Sequence, residues 1–212
     1  MSVWSGLISF ALVAGLLTVV PGVDTALVLR SAIARGTRYA FVTACGVGTG
    51  LLVWGTAAAG GLSVLLTTSQ VAYTVLRVAG AVYLIWLGVT SLLALRHRAD
   101  SAEMAADDAA GGSMLRAWLR GALSNLLNPK VGVFYIAMLP QFIPPTAPHL
   151  LMGAALTMVH FLEGMLWLTV VIFGVRFLRA WLGRPSVKRA MEAVTGTVLV
   201  AFGLKLALSD SA

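Results

Sequence analysis

Three features of the chain predict an all-α membrane protein of six transmembrane helices, arranged as two inverted three-helix repeats with broken first helices. Of 212 residues, 59% are hydrophobic and 11% are charged, against about 45–50% and about 25% in an ordinary soluble domain. The charges are clustered, leaving between them stretches long enough to cross a hydrocarbon layer of about 30 Å. The two halves of the chain also resemble each other.

The apolar segments run over Val3–Leu29, Tyr39–Thr67, Gln70–Leu95, Ala122–Ile143, Leu150–Val175 and Ala190–Leu208. Each approaches or exceeds the twenty or so residues that a spanning helix requires. The first has neither a basic leader nor a small-residue cleavage site, so it is expected to be a permanent helix. A short stretch ahead of the fourth sets Leu115, Trp118, Leu119, Ala122 and Leu123 against Arg116 and Arg120. That pattern predicts a helix lying in the membrane interface.

Loop charge sets the expected orientation. The first loop carries Arg30, Arg35 and Arg38, the third Arg96, Arg98, Arg116 and Arg120, and the fifth Arg176, Arg179, Arg184, Lys188 and Arg189. The loops around Thr68-Ser69 and Pro144–Pro148 carry no basic residue, and the C-terminal end has Lys205 alone. The positive-inside rule then puts both termini outside. A net charge of +7 would suggest nucleic acid in a soluble protein. Here the Lys and Arg flank apolar runs and face anionic lipid headgroups, so nucleic-acid binding is set aside. Cys45 stands alone and the three His are scattered, which leaves neither an intrachain disulfide nor a dense metal cluster. No cofactor motif is present.

Dividing the chain at a cytoplasmic linker (98–113) leaves a first repeat (1–97) and a second (114–212). Val20-Pro21-Gly22-Val23-Asp24 in one matches Asn128-Pro129-Lys130-Val131-Gly132 in the other, and Val78–Val82 matches Val194–Val198. Three spans per repeat is an odd number, so the repeats must be inverted. Proline removes an intrahelical donor and crowds the preceding turn. The backbone groups it frees are tolerated in a membrane only where they are buried or line a wet cavity. Matched breaks in inverted repeats point to a transporter site near the midplane, although a single proline can be no more than a kink.

Intramembrane charges are the next signal. Asp24 lies roughly 9 Å in from the level of Arg30, and Lys130 roughly 12 Å in from Ala122, at about 1.5 Å per residue. Glu163 sits near the middle of the fifth span with His160 one turn earlier. Such residues cost several kcal/mol unless paired or hydrated, and so are functional candidates. The candidates for substrate or proton binding are therefore Pro21, Gly22, Asp24, Asn128, Pro129, Lys130, His160 and Glu163. Two bland readings stay open: Asp24 and Lys130 as a structural ion pair, and a protonated Glu163 bonded to His160 for packing. Arg77 reads as a lipid anchor.

Gly46 and Gly50 have the small-xxx-small spacing of close helix contact, and Gly80 and Gly196 occupy matching places in the third and sixth spans. All four read as helix-packing positions. Trp4, Trp86, Trp118 and Trp181 lie near span ends and read as interface anchors. Trp54 and Trp167 lie deeper, in core or cavity.

Pro21-Gly22-Val23-Asp24-Thr25, the Gly46/Gly50 helix, Gly80-Ala81-Val82-Tyr83-Leu84, Asn125-Leu126-Leu127-Asn128-Pro129-Lys130, Pro140-Gln141-Phe142 and Thr195–Leu199 together resemble the LysE/RhtB family of amino-acid exporters over nearly the whole chain. The resemblance implies efflux of an amino acid or related metabolite from a bacterium across its inner membrane, driven by protons, with a homo-oligomer left open. Two positions depart from the family pattern: Val23 replaces the second proline of Pro-Gly-Pro, and Leu51 stands where several members are acidic. A membrane enzyme would need a nucleophile–base pair or a metal at the surface, and a metal-ion exporter a ligand cluster. The sequence offers neither.

Overall fold

The computed structural model describes residues 2–20, 22–68, 70–94, 113–175 and 184–208. Among these the protein is all-helical: α1 (Val3–Val19), α2 (Val23–Arg35), α3 (Thr37–Thr68), α4 (Gln70–Ala94), α5 (Met114–Leu126), α6 (Pro129–Met138), a 3-10 turn (Leu139–Phe142), α7 (His149–Phe173) and α8 (Pro185–Leu208). By length and composition, Thr37–Gly61 and His149–Phe173 are apolar and long enough to cross a membrane. A third crossing is formed if α1 and α2, bent by 52° at their junction, count as one span.

The helices begin and end where local chemistry directs. Ser2 caps α1 by accepting from the Ser5 N–H at 3.2 Å. α1 stops at Val19 and α2 starts at Val23, bracketing Pro21, which itself lies outside the described residues. Gly36, at φ 82°, turns the chain sharply from α2 into α3 in a region that disfavours a Cβ. Asn128 caps α6 with Pro129 at its first position, where a missing amide hydrogen is of no consequence. The fourth expected span, Ala122–Ile143, is thus two helices and a 3-10 turn.

α3 is the hub. Its Gly46 and Gly50 face α5 so closely that an added Cβ would strike the Trp118 and Ala122 backbone, and Gly121 of α5 meets Thr43 of α3 in the same way. Gly48 and Gly55 face α7 through Phe161 and Thr157. The α5 stretch therefore packs on α3 through a different side from the one its apolar pattern singled out. The side it buries is the small-residue side, with Ala117, Gly121, Ala122 and Asn125, while Leu115, Leu119 and Leu123 are exposed. Lipid is as apolar as leucine, so helix association selects small residues that allow close approach. Trp118 also reaches across this seam, its indole N–H donating to Thr49 at 3.2 Å. Gly196 of α8 packs against Gly88 and Leu92 of α4. The surroundings of Gly80 and Arg77 lie outside the described residues, as does Trp181.

Two apolar clusters form the core. The larger joins Phe10 and Ala14 of α1 to Phe134, Tyr135 and Met138 of α6 and Leu156 of α7. The smaller joins Val28 of α2 to Ala40, Ala44 and Val47 of α3 and Leu168 of α7.

Candidate functional site

The break between α1 and α2 meets the break between α5 and α6. Asp24, in the first turn of α2, sits at the positive end of that helix, where a carboxylate is favoured. Its Oδ1 accepts from the Ser124 hydroxyl at 2.6 Å, and its Oδ2 accepts from the Asn125 and Asn128 amides at 2.9 and 3.1 Å. All three donors stand at the end of α5 or in the break after it. Asn128 uses both ends of its amide, since its Oδ1 also accepts from the Lys130 N–H at 3.1 Å. One side chain thereby caps α6 and holds Asp24.

Lys130 occupies the same position in α6 that Asp24 occupies in α2, two residues past the cap. A cation at a helix N-terminus is unfavourable. Its Nζ reaches away to the last turn of α1 and donates to the Leu17 carbonyl at 3.2 Å. Residue 21, four positions beyond Leu17, is proline, so no amide hydrogen exists to close that helical bond. The lysine satisfies a carbonyl that proline left unpaired. Each half of the chain thus repairs the break in the other, and Asp24 and Lys130 make separate contacts rather than an ion pair with each other.

A cavity of about 80 Å³ opens between the two apolar clusters, room for several waters where one needs about 10–15 Å³. Its polar wall includes Gly22, Asp24, Asn125, Asn128, Lys130 and His160. Trp167 also lines it, which decides the question the sequence left open, whereas Trp54 packs against Gly132 of α6.

His160 and Glu163 do not act as the expected pair. The His160 Nδ1 lies 3.2 Å from the Tyr135 hydroxyl, and its ring is boxed by Phe10 and Phe134 at centroid distances of 6.3 and 5.4 Å. Glu163 points to α1 instead, 3.5 Å from where a Cβ on Gly15 would stand, and its Oε2 is buried without a partner. Glu163 is not part of the cavity wall.

Ser124 and Asn125 were not singled out from the sequence. A signal did exist: Asn125 and Asn128 are three apart, one helical turn, just ahead of Pro129, which brings two amides to one face at a break.

The family model for LysE type translocators matches residues 16–210. The chain belongs to the LysE type translocator family. It is accordingly a membrane transporter and not an enzyme. Among the relatives of this LysE member, the membrane protein YrhP of Bacillus subtilis is 30% identical over 96% of the chain and 99% of its own length. The homoserine/homoserine lactone efflux protein of Salmonella typhi is 30% identical over 94% of each chain. The leucine efflux protein of Salmonella choleraesuis is 28% identical over 92% of this chain and 91% of its own. No solved structure matches the LysE chain.

Proposed function

We propose that this LysE type translocator exports an amino acid or a closely related small metabolite across the bacterial inner membrane, in exchange for protons, using the cavity between the two helix breaks. The observation that carries the reading is Asp24: a carboxylate at one break, held by three donors from the other, on the wall of a cavity that Lys130 shares. Opposite charges fixed on two elements of one small cavity match a zwitterion, whose ammonium and carboxylate are a constant distance apart whatever the side chain. A metal-ion cargo fits less well, because Lys130 would repel it. The relatives named for homoserine and leucine efflux support the same class of cargo.

The packing supports an inverted repeat of six spans. α1 packs on α7 and α5 packs on α3; α2 touches α7 and α6 touches α3; α3 meets α7 and α4 meets α8. Exchanging the halves carries each of these relations into another or into itself, as expected of a two-fold related pair of repeats, whereas the contact of α4 with α6 has no equally strong counterpart between α8 and α2 among the described residues. The loop charges support a cytoplasmic linker and outer termini.

The test is export itself. Overproduction of the protein in a host sensitive to L-leucine or L-homoserine should raise resistance and accumulation in the medium. Everted vesicles should take up the same solute when the interior is acidified. Loss of the vesicle response with retained export would remove the proton and leave the exporter.

A further inference from the structure

Building on the exporter reading, we propose that the Trp167 indole N–H binds the carboxylate of the cargo together with Lys130, and that the site selects neutral amino acids with an apolar side chain. Buried polar atoms nearly always find partners in a native protein, so the exceptions call for explanation. Among the described residues the buried side-chain atoms without a partner are Thr18 Oγ1, Trp54 Nε1, Asn125 Oδ1, Glu163 Oε2 and Trp167 Nε1. Three of these five, on Thr18, Asn125 and Trp167, belong to residues that line the one cavity described above.

Their chemistry is complementary. The indole N–H can only donate, and an amide oxygen can only accept. Asn125 commits its Nδ2 to Asp24 and turns its Oδ1 to the α3 seam, 3.0 Å from where a Cβ on Gly50 would stand. Asp24 accepts three hydrogen bonds where a carboxylate offers about four sites, leaving one. The Lys130 ammonium has three hydrogens and gives one to Leu17. The cavity-lining residues thus leave one acceptor site on Asp24 without a donor, and donors on Lys130 and Trp167 without an acceptor. The ammonium and carboxylate of one amino acid supply both, and the Thr18 hydroxyl can serve either.

Beyond those groups the wall is mostly apolar, with Leu17, Val20, Val47, Leu51, Val131 and Leu168, and its further polar side chains, Thr25, Asn128 and His160, carry no carboxylate. Asp24 is the one carboxylate among the cavity-lining residues, and it faces the ammonium. His160 has its Nδ1 turned to Tyr135. A lysine or arginine cargo would carry a second charge into this wall with no counter-ion, which low-dielectric surroundings oppose.

The purified protein in proteoliposomes tests this with L-leucine counterflow as the readout. For the wild type, excess L-lysine should leave counterflow unchanged, and leucinamide, which lacks the carboxylate, should compete at least about tenfold more weakly than leucine, the loss expected for a charge-assisted hydrogen bond. Trp167→Phe keeps the ring and removes the N–H. It should raise the half-saturation concentration for leucine about tenfold while shifting that of leucinamide by less than about twofold. Lysine competing as well as leucine would overturn the selectivity. Leucine and leucinamide competing equally in the wild type, or shifting equally in Trp167→Phe, would overturn the carboxylate contact, and the wild-type comparison stands even should the variant not fold. A wild type that moves none of leucine, homoserine or lysine defeats the exporter reading, and this inference with it.

Discussion

Lys130 donates from Nζ to the Leu17 carbonyl at 3.2 Å, the carbonyl whose helical donor would have been the absent N–H of proline 21. A chain separation of 113 residues joins a lysine at one helix break to an orphaned acceptor at the other. The bond is both a structural repair and the means by which a cation is held on the cavity wall.

Lys130→Met should therefore have two effects. The stranded Leu17 carbonyl should lower stability by about 1–3 kcal/mol, the usual cost of a buried group losing its partner, read as a lower melting temperature in detergent. Counterflow should be lost even at a temperature where the variant is folded. Normal counterflow with lowered stability would leave Lys130 as a repair only.

Asp24→Asn should abolish uptake into everted vesicles while membrane abundance stays near wild type, because the amide retains an oxygen for Ser124, Asn125 or Asn128 to reach. Were Asp24 and Lys130 half each of a structural pair, Asp24→Asn combined with Lys130→Met would restore transport. Their separate hydrogen-bond partners predict no recovery, which the double variant measures directly.

Glu163→Gln should leave the half-saturation for leucine counterflow within about twofold, since the side chain faces Gly15 and lies off the cavity wall; a change of a few tenths of a kcal/mol corresponds to that factor. A tenfold loss of affinity would return Glu163 to the binding site.

Gly46→Val or Gly121→Val should sharply reduce accumulation in the membrane. Any Cβ at these positions meets the backbone of the facing helix, Trp118 in one case and Thr43 in the other, and backbone cannot rotate away. Overpacking of this kind costs about 1–3 kcal/mol or more. Gly15→Ala is the control: its Cβ would rest at 3.5 Å from Glu163, an ordinary contact, and abundance should be unchanged.

Reporter fusions after Thr68 and after Thr146 should report the outside, and fusions within Ala102–Gly112 the inside, as the loop charges require. A consistent reversal would overturn the orientation, and a five-span pattern the inverted repeat.

Residue order alone determined a membrane protein and the place of each helix break. Apolarity accumulates along the chain without reference to a partner, and a proline lacks its hydrogen wherever it stands. The family could be read for the same reason, from motifs contiguous in sequence. Only the tertiary structure decided which groups meet. Ser124 and Asn125 reach Asp24 across about a hundred residues of chain, and the Gly46, Gly50 and Gly121 contacts draw α5 against α3 closely enough for them to do so. The large apolar residues of α5 carried the sequence pattern but face outward, because close approach in lipid depends on small size rather than on hydrophobicity. The same packing turns His160 to Tyr135, Glu163 to Gly15 and Trp167 into the cavity, three choices that helical spacing leaves equal because it places a residue on a face without naming the neighbour across it.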